Sequence, residues 1–140
     1  MIVRRCAGGV VFYGNKVLLL RNDKGEWVLP KGKISESELA TQTAINKVKE
    51  EAAVKANILG SAGETVYEFF SRSRQSKVCN AIIWYVMESQ NTEYEINKEK
   101  GFLDGGFFKI KDALNILTHN NDKSIVEISF QRYKSLKKSA

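Results

Sequence analysis

The sequence predicts an α+β domain, a mixed β-sheet with helices packed on it, and three observations lead there. Short β-rich apolar runs recur along the chain. Two of them are joined by only Gly14-Asn15, and a two-residue Gly-Asn connection between such runs signals a hairpin. One longer stretch, residues 38–53, carries helical rather than strand periodicity.

The elements follow in order. Residues 6–12 read as a strand, and residues 16–21 return as a second. Asp23-Lys24-Gly25 marks a turn, and residues 27–29 form a short strand ended by Pro30, the only proline. In residues 38–53, Ala40, Ala44, Val48 and Ala52 recur every four residues, joined by Leu39 and Ile45, and Ser35 or Ser37 is placed to cap the start. Residues 56–59, 65–70 and 77–87 read as strands, and the polar stretch 88–104 as a loop. Residues 106–110 suggest a short strand, 111–117 a short helix, and 122–136 a terminal helix with Ile125, Ile128 and Phe130 among its apolar positions. The predicted order is β-β-β-α-β-β-β-β-α-α.

Size and composition set limits. The 140 residues suit a single domain, residues 1–140, and 43% hydrophobic with 27% charged residues is ordinary for a globular protein. Cys6 and Cys79 stand far apart without a Cys-x-x-Cys pair. A disulfide framework or zinc ribbon is not expected, and the two read as small buried hydrophobes. A reducing, cytoplasmic setting is expected. The start alternates like a strand rather than a signal peptide, and no apolar run approaches the roughly 20 residues of a membrane span. The formal charge of +6 favours anionic partners. Arg132, Lys134, Lys137 and Lys138 read as a solvated helix end. A nucleic-acid partner is not expected, because aromatic residues are not interleaved with the basic ones as a single-strand binder wants.

The chemistry gathers in Leu29-Pro30-Lys31-Gly32-Lys33-Ile34 and the helix after it, with Glu38, Glu50 and Glu51. A glycine at the mouth of a helix lets the backbone approach a ligand, and a helix N-terminus beside lysines suits an anion. The adjacent carboxylates Glu50 and Glu51 suit a hard cation such as Mg²⁺ with phosphate as co-ligand. Together these suggest metal-assisted attack of water on a phosphoanhydride. Lys31 and Lys33 either grip phosphate or remain solvated loop lysines, and Arg21 is a further candidate for the same pocket. Tyr67 either stacks on a base or belongs to the core; Trp27 reads as core, and the lone His119 as a structural loop residue.

This stretch resembles the Nudix family, whose signature runs Gly, five residues, Glu, seven residues, then Arg-Glu-apolar-x-Glu-Glu-x-Gly-apolar. Here Gly32, Glu38 and Asn46-Lys47-Val48-Lys49-Glu50-Glu51-Ala52-Ala53-Val54 match that spacing without a gap. Ala7-Gly8-Gly9-Val10-Val11 resembles the family's opening strand, and Trp27-Val28-Leu29-Pro30-Lys31-Gly32-Lys33 its approach to the box. Tyr67-Glu68-Phe69 and residues 117–127 are similar to members acting on dinucleoside polyphosphates. The resemblance implies a mixed sheet sandwiched between helices. It also implies a hydrolase of nucleoside diphosphate derivatives, including dinucleoside polyphosphates, that uses Mg²⁺ or Mn²⁺. Glu50 and Glu51 would ligate the metal with the Gly32 carbonyl, and Glu99 would be the further carboxylate that some members take from a late loop, ahead of Glu93, Glu95 and Asp104. One of Glu50, Glu51 and Glu99 would activate water.

Three positions depart from the signature: Asn46 for Arg, Lys47 for Glu and Ala53 for Gly. Residues 47, 50 and 51 share one helix face, so the Lys47 ammonium is expected to point at Glu50 or Glu51. A surface ion pair between Lys47 and Glu51 is the plain alternative. The departures keep a second function in play, a non-catalytic Nudix-fold module binding a nucleotide or a protein. RNA binding through the basic surface is the third.

Overall fold

A computed structural model describes residues 1–139. The hairpin forms as expected. β1 (Ile2–Tyr13) turns at Gly14, whose φ of +58° lies in the left-handed region, into β2 (Lys16–Arg21), with Phe12 opposite Val17. β3 (Trp27–Val28) pairs with β2. The Pro-Lys-Gly-Lys stretch is not a loop opening onto a helix. Lys31–Lys33 form β4, antiparallel to β1, with Gly32 opposite Ala7. A Cβ on Gly8 would stand 2.5 Å from the Pro30 carbonyl oxygen, so a glycine at that position lets the two backbones close up.

α1 spans Ala40–Ala52, shorter than the 38–53 predicted. Leu39 is its N-cap and makes no side-chain cap, so neither Ser35 nor Ser37 caps it. Ala53 ends the helix in the left-handed conformation, φ 55°, with its N–H donating to the Lys49 carbonyl. The two strands expected at 56–59 and 65–70 are one strand, β5 (Ala56–Ser71), bulged between Ile58 and Gly60 and between Ser61 and Gly63. β6 (Ser76–Ser89) pairs with β5 on one side and, in parallel, with β1 on the other. After a 3-10 turn at Lys98–Lys100, β7 (Asp104–Lys109) adds to β2. α2 (Ile110–Ile116) and α3 (Asn120–Ser139) finish the described chain. The observed order is therefore β-β-β-β-α-β-β-β-α-α.

The sheet is mixed, and each face carries its own core. Val10, Phe12, Trp84 and Val86 pack with Ala113, Ile125, Val126 and Tyr133 of α2 and α3. Val11, Leu18, Leu20 and Met87 pack with Val48 and Ala52 of α1. β1 lies between the two layers, so residues 6–12 are buried without interruption rather than alternately. Cys6 is buried, Cys79 is only partly so, and both are free thiols. Trp27 packs edge-on against Phe108. Among the described residues no helix is long and apolar enough to cross a membrane.

Candidate active site

Glu50 and Glu51 sit side by side at the end of α1 in different surroundings. α1 turns Thr43, Ala44, Val48, Glu51 and Ala52 inward, a stripe at helical spacing. Glu51 falls on that stripe and is 7% exposed. Its carboxylate accepts a hydrogen bond from the Lys31 backbone. Burial pushes its pKa up from 4.5 to about 7, against the lowering pull of the Lys31 and Lys47 ammonium groups. Glu50 faces outward. Lys47 Nζ lies 3.4 Å from Glu50 Oε2, and Lys100 Nζ meets Glu50 Oε1.

Lys47 thus points at Glu50 rather than pairing with Glu51. Its stem crosses Gly32: a Cβ there would stand 2.3 Å from Lys47 Cε and 2.5 Å from Cδ. Gly32 lies in β4, not at a helix mouth, and the group that approaches its backbone is this lysine stem. Asn46, at the family's arginine position, donates from Nδ2 to Glu38 at 2.7 Å. Glu38 also accepts from Thr43 Oγ1 and Ser35 Oγ. The network braces the approach to α1, and the hydrogen bond from Asn46 goes to Glu38.

The stretch read as a loop is tied to the end of α1 over residues 95–97, although most of 93–100 is exposed. The Glu95 N–H donates to the Ala52 carbonyl and the Asn97 N–H to the Glu51 carbonyl. Asn97 Nδ2 donates to the Glu50 carbonyl at 3.0 Å. The segment therefore satisfies carbonyls that the end of α1 leaves without helical partners. It brings Glu99 and Glu95 to one groove with Glu50, but the side chain that reaches Glu50 is Lys100. Glu93 lines a different groove, beside Ala53 and Asn57. Asp104 sits across from Arg21 and accepts from the Gly105 N–H.

The other candidates divide around a cleft of about 330 Å³ between the end of β3, β5, β6 and the start of α3. Lys31 and Tyr67 line it. Tyr67 is 49% exposed and so does not belong to the core; its ring centroid is 5.9 Å from that of His119. Arg21 is not among the lining residues, and its Nε donates to the Gly25 carbonyl at 3.2 Å. Lys33 is exposed and also outside the lining.

Several lining residues carry no mark in the sequence. His119 does lie in the loop before α3, and there its Nε2 stands 3.4 Å from Glu26 Oε2, at the cleft wall. Burial raises the Asp122 pKa, opposed by Lys31 and then His119, while Glu26 adds to the rise. Asn80 Oδ1 is buried without a hydrogen-bond partner among the described residues. Lys31 acts electrostatically on Asp122 in the cleft and on Glu51 under the box, so one ammonium joins the two.

The divalent cation implied by the box, Mg²⁺ or Mn²⁺, needs several converging oxygen ligands. Among the described residues no three His, Cys, Asp or Glu side chains converge to hold a metal, so Glu50, Glu51 and Glu99 do not form a ligand set. Both oxygens of Glu50 already face ammonium groups. As it stands, the donor set does not fit a divalent cation.

Comparison with known proteins gives a consistent picture. Over 103 residues the chain is 26% identical to putative mutator protein MutT4 of Mycobacterium tuberculosis, a match covering 74% of this chain and 40% of that protein. The E. coli dihydroneopterin triphosphate pyrophosphohydrolase superposes with a TM-score of 0.73 at 17% identity, over 91% of this chain and 96% of that one. A C. elegans Ap4A hydrolase, solved as a binary complex, superposes with a TM-score of 0.69 at 18% identity, over 94% and 98%. These structural likenesses establish a shared fold. The NUDIX domain family model matches residues 3–127, spanning β1, the Gly32-to-Glu51 box and the first turns of α3, and the chain belongs to that family.

Proposed function

We propose that the protein hydrolyses a phosphoanhydride in a nucleoside diphosphate derivative, a dinucleoside polyphosphate being the leading substrate class. The observation that carries this reading is the position of Lys31, between the cleft that holds Tyr67 and the buried Glu51. A base stacked on Tyr67 would leave its diphosphate against Lys31. A water oxygen attacks phosphorus, the bond to the leaving phosphate oxygen breaks, and the water proton passes to the Glu51 carboxylate. A carboxyl with a pKa of about 7 is suited to take a proton at neutral pH. Lys31 offsets charge on the phosphate oxygens. No step passes through a divalent cation, because the donor set does not fit one, and turnover is expected to be slow. Losing one charged contributor at such a site costs on the order of 10²-fold or more.

The similarity to an Ap4A hydrolase fold supports the choice of substrate class. A second reading, nucleotide binding without turnover, is favoured by one observation: Lys47 and Lys100 occupy both oxygens of Glu50.

The experiment is a hydrolysis panel of ADP-ribose and diadenosine polyphosphates, run with Mg²⁺, with Mn²⁺ and with EDTA. Glu51→Gln and the double variant Asn46→Arg, Lys47→Glu run in parallel. Turnover by the natural protein that Glu51→Gln abolishes supports the hydrolase reading. An inert natural protein beside an active double variant favours the binding reading. No turnover by either variant or natural protein, with no nucleotide bound, removes both.

A further inference from the structure

We infer that this site binds the phosphate chain of its nucleotide without a divalent cation, with Lys47 and Lys100 in the place of the metal's charge. The inference deepens the proposed function and rests on its assignment of the cleft to a nucleotide.

The first argument is charge. Lys31, Lys47 and Lys100 are arrayed about Glu50 and Glu51: Lys31 and Lys47 act on Glu51, and Lys47 and Lys100 contact Glu50. Three ammonium groups act on these two carboxylates, and Glu95, Glu99 and Lys98 in the groove beside Glu50 bring the wider charge to balance. A carboxylate site built for a metal carries surplus negative charge before the metal arrives, and that surplus recruits a cation. Here no negative surplus is left to recruit a cation, and both oxygens of Glu50 are already met by ammonium groups.

The second argument is position. The Lys47 stem is packed, and Lys100, though exposed, is set by the backbone that carries it. The Lys47 stem is laid over the bare backbone of Gly32, a place a Cβ would fill. Lys100 follows a segment whose Asn97 is bonded to the Glu50 and Glu51 carbonyls. The Lys47 ammonium is therefore guided to Glu50 by its packed stem, and the Lys100 ammonium by a backbone tied to the end of α1. Each ammonium carries three donors, and Glu50 does not exhaust them. The oxygens of a diphosphate are the complementary acceptors. Lys31 lines the cleft with Tyr67 and, like Lys47, acts on Glu51, so Lys31 is the link through which a phosphate chain seated in the cleft would reach Lys47 and Lys100.

The test is equilibrium binding of a non-hydrolysable nucleoside diphosphate, α,β-methylene-ADP, by calorimetry in EDTA and again in Mg²⁺. Dissociation constants agreeing within about threefold support the inference; a factor of ten would mark a cation contribution of about 1.4 kcal/mol. Lys47→Met and Lys100→Met should each weaken binding in EDTA by about tenfold, the scale of one charge-assisted hydrogen bond. Methionine keeps the stem that packs over Gly32, so its effect reads the charge rather than the packing. Lys47→Glu should make binding depend on Mg²⁺. Lys111→Met, remote from the cleft and exposed, should change nothing. Binding only with Mg²⁺ overturns the inference and leaves the hydrolase reading standing. An equal loss in Lys111→Met overturns it too, because the attraction is then diffuse. No binding with or without Mg²⁺ overturns both the inference and the nucleotide assignment.

Discussion

Replacing Glu51 with glutamine should stabilise the protein while removing its proposed water-activating group. Glu51 is buried, and its pKa rises from 4.5 to about 7. A raised carboxyl pKa means that the folded state holds the proton more tightly than the unfolded chain. The folded protein therefore carries no penalty below about pH 4.5, and the penalty grows as pH rises through 7. At roughly 1.4 kcal/mol per pH unit, the full penalty for the ionised form reaches about 3 kcal/mol above pH 7. A glutamine in its place would not ionise, and its carbonyl oxygen can still accept the Lys31 backbone hydrogen bond. Glu51→Gln should match the natural protein at about pH 4.5 and exceed it by up to about 3 kcal/mol at about pH 8. Urea unfolding of both proteins in EDTA across that range measures the difference. Asp122 is shifted in the same direction and Glu88 in the opposite one, so the natural protein's own profile mixes several groups. The difference between the two proteins isolates Glu51. A difference that is flat with pH, or that shrinks as pH rises, refutes the reasoning.

Two further outcomes follow from the geometry. Ala53 ends α1 at φ 55°, where a side chain is strained by roughly 1–2 kcal/mol. Ala53→Gly relieves that strain against a smaller entropic cost, and a gain of about 0.5–1 kcal/mol in urea unfolding is expected. Tyr67 is half exposed at the cleft, so Tyr67→Ala should leave the melting temperature nearly unchanged. It should raise the dissociation constant for a nucleoside diphosphate by about tenfold, the scale of one lost base stack; unchanged affinity would place the base elsewhere.

The sequence discloses what local chemistry decides. The turn at Gly14-Asn15 and the alanine stripe of α1 depend on neighbours within a few residues, and both are found where expected. β4 is hidden because Pro30 and Gly32 look like punctuation; only its partner β1, which sets Gly8 opposite Lys31, turns them into a ladder. β5 reads as two strands because Gly60 and Gly63 interrupt it, whereas those glycines sit at its bulges. The cleft is the hardest part to see. Asn80, His119 and Asp122 come from β6 and the start of α3, and nothing in their own surroundings marks them as neighbours of Lys31. In the loop before β7 the difference is one of register. Glu99 is the residue expected at Glu50, and the backbone that forms the 3-10 turn presents Lys100 instead, one residue later and of opposite charge.

The parallel pairing of β1 with β6 has a consequence for how the protein is made. Ile2 lies opposite Val78 and Phe12 opposite Glu88, so β1 finds its long partner only after the intervening residues 14–77 have been made. At roughly 5–20 residues per second, the apolar stretch 6–12 waits for several seconds with one edge unpaired. The other edge is covered sooner, by β2 at Phe12 and Tyr13 and by β4 at Cys6, Ala7 and Gly8. Nascent chains of this protein should therefore hold a sticky, unfinished strand until residue 88 clears the ribosome, and a chaperone that shields extended apolar segments would find its target in β1.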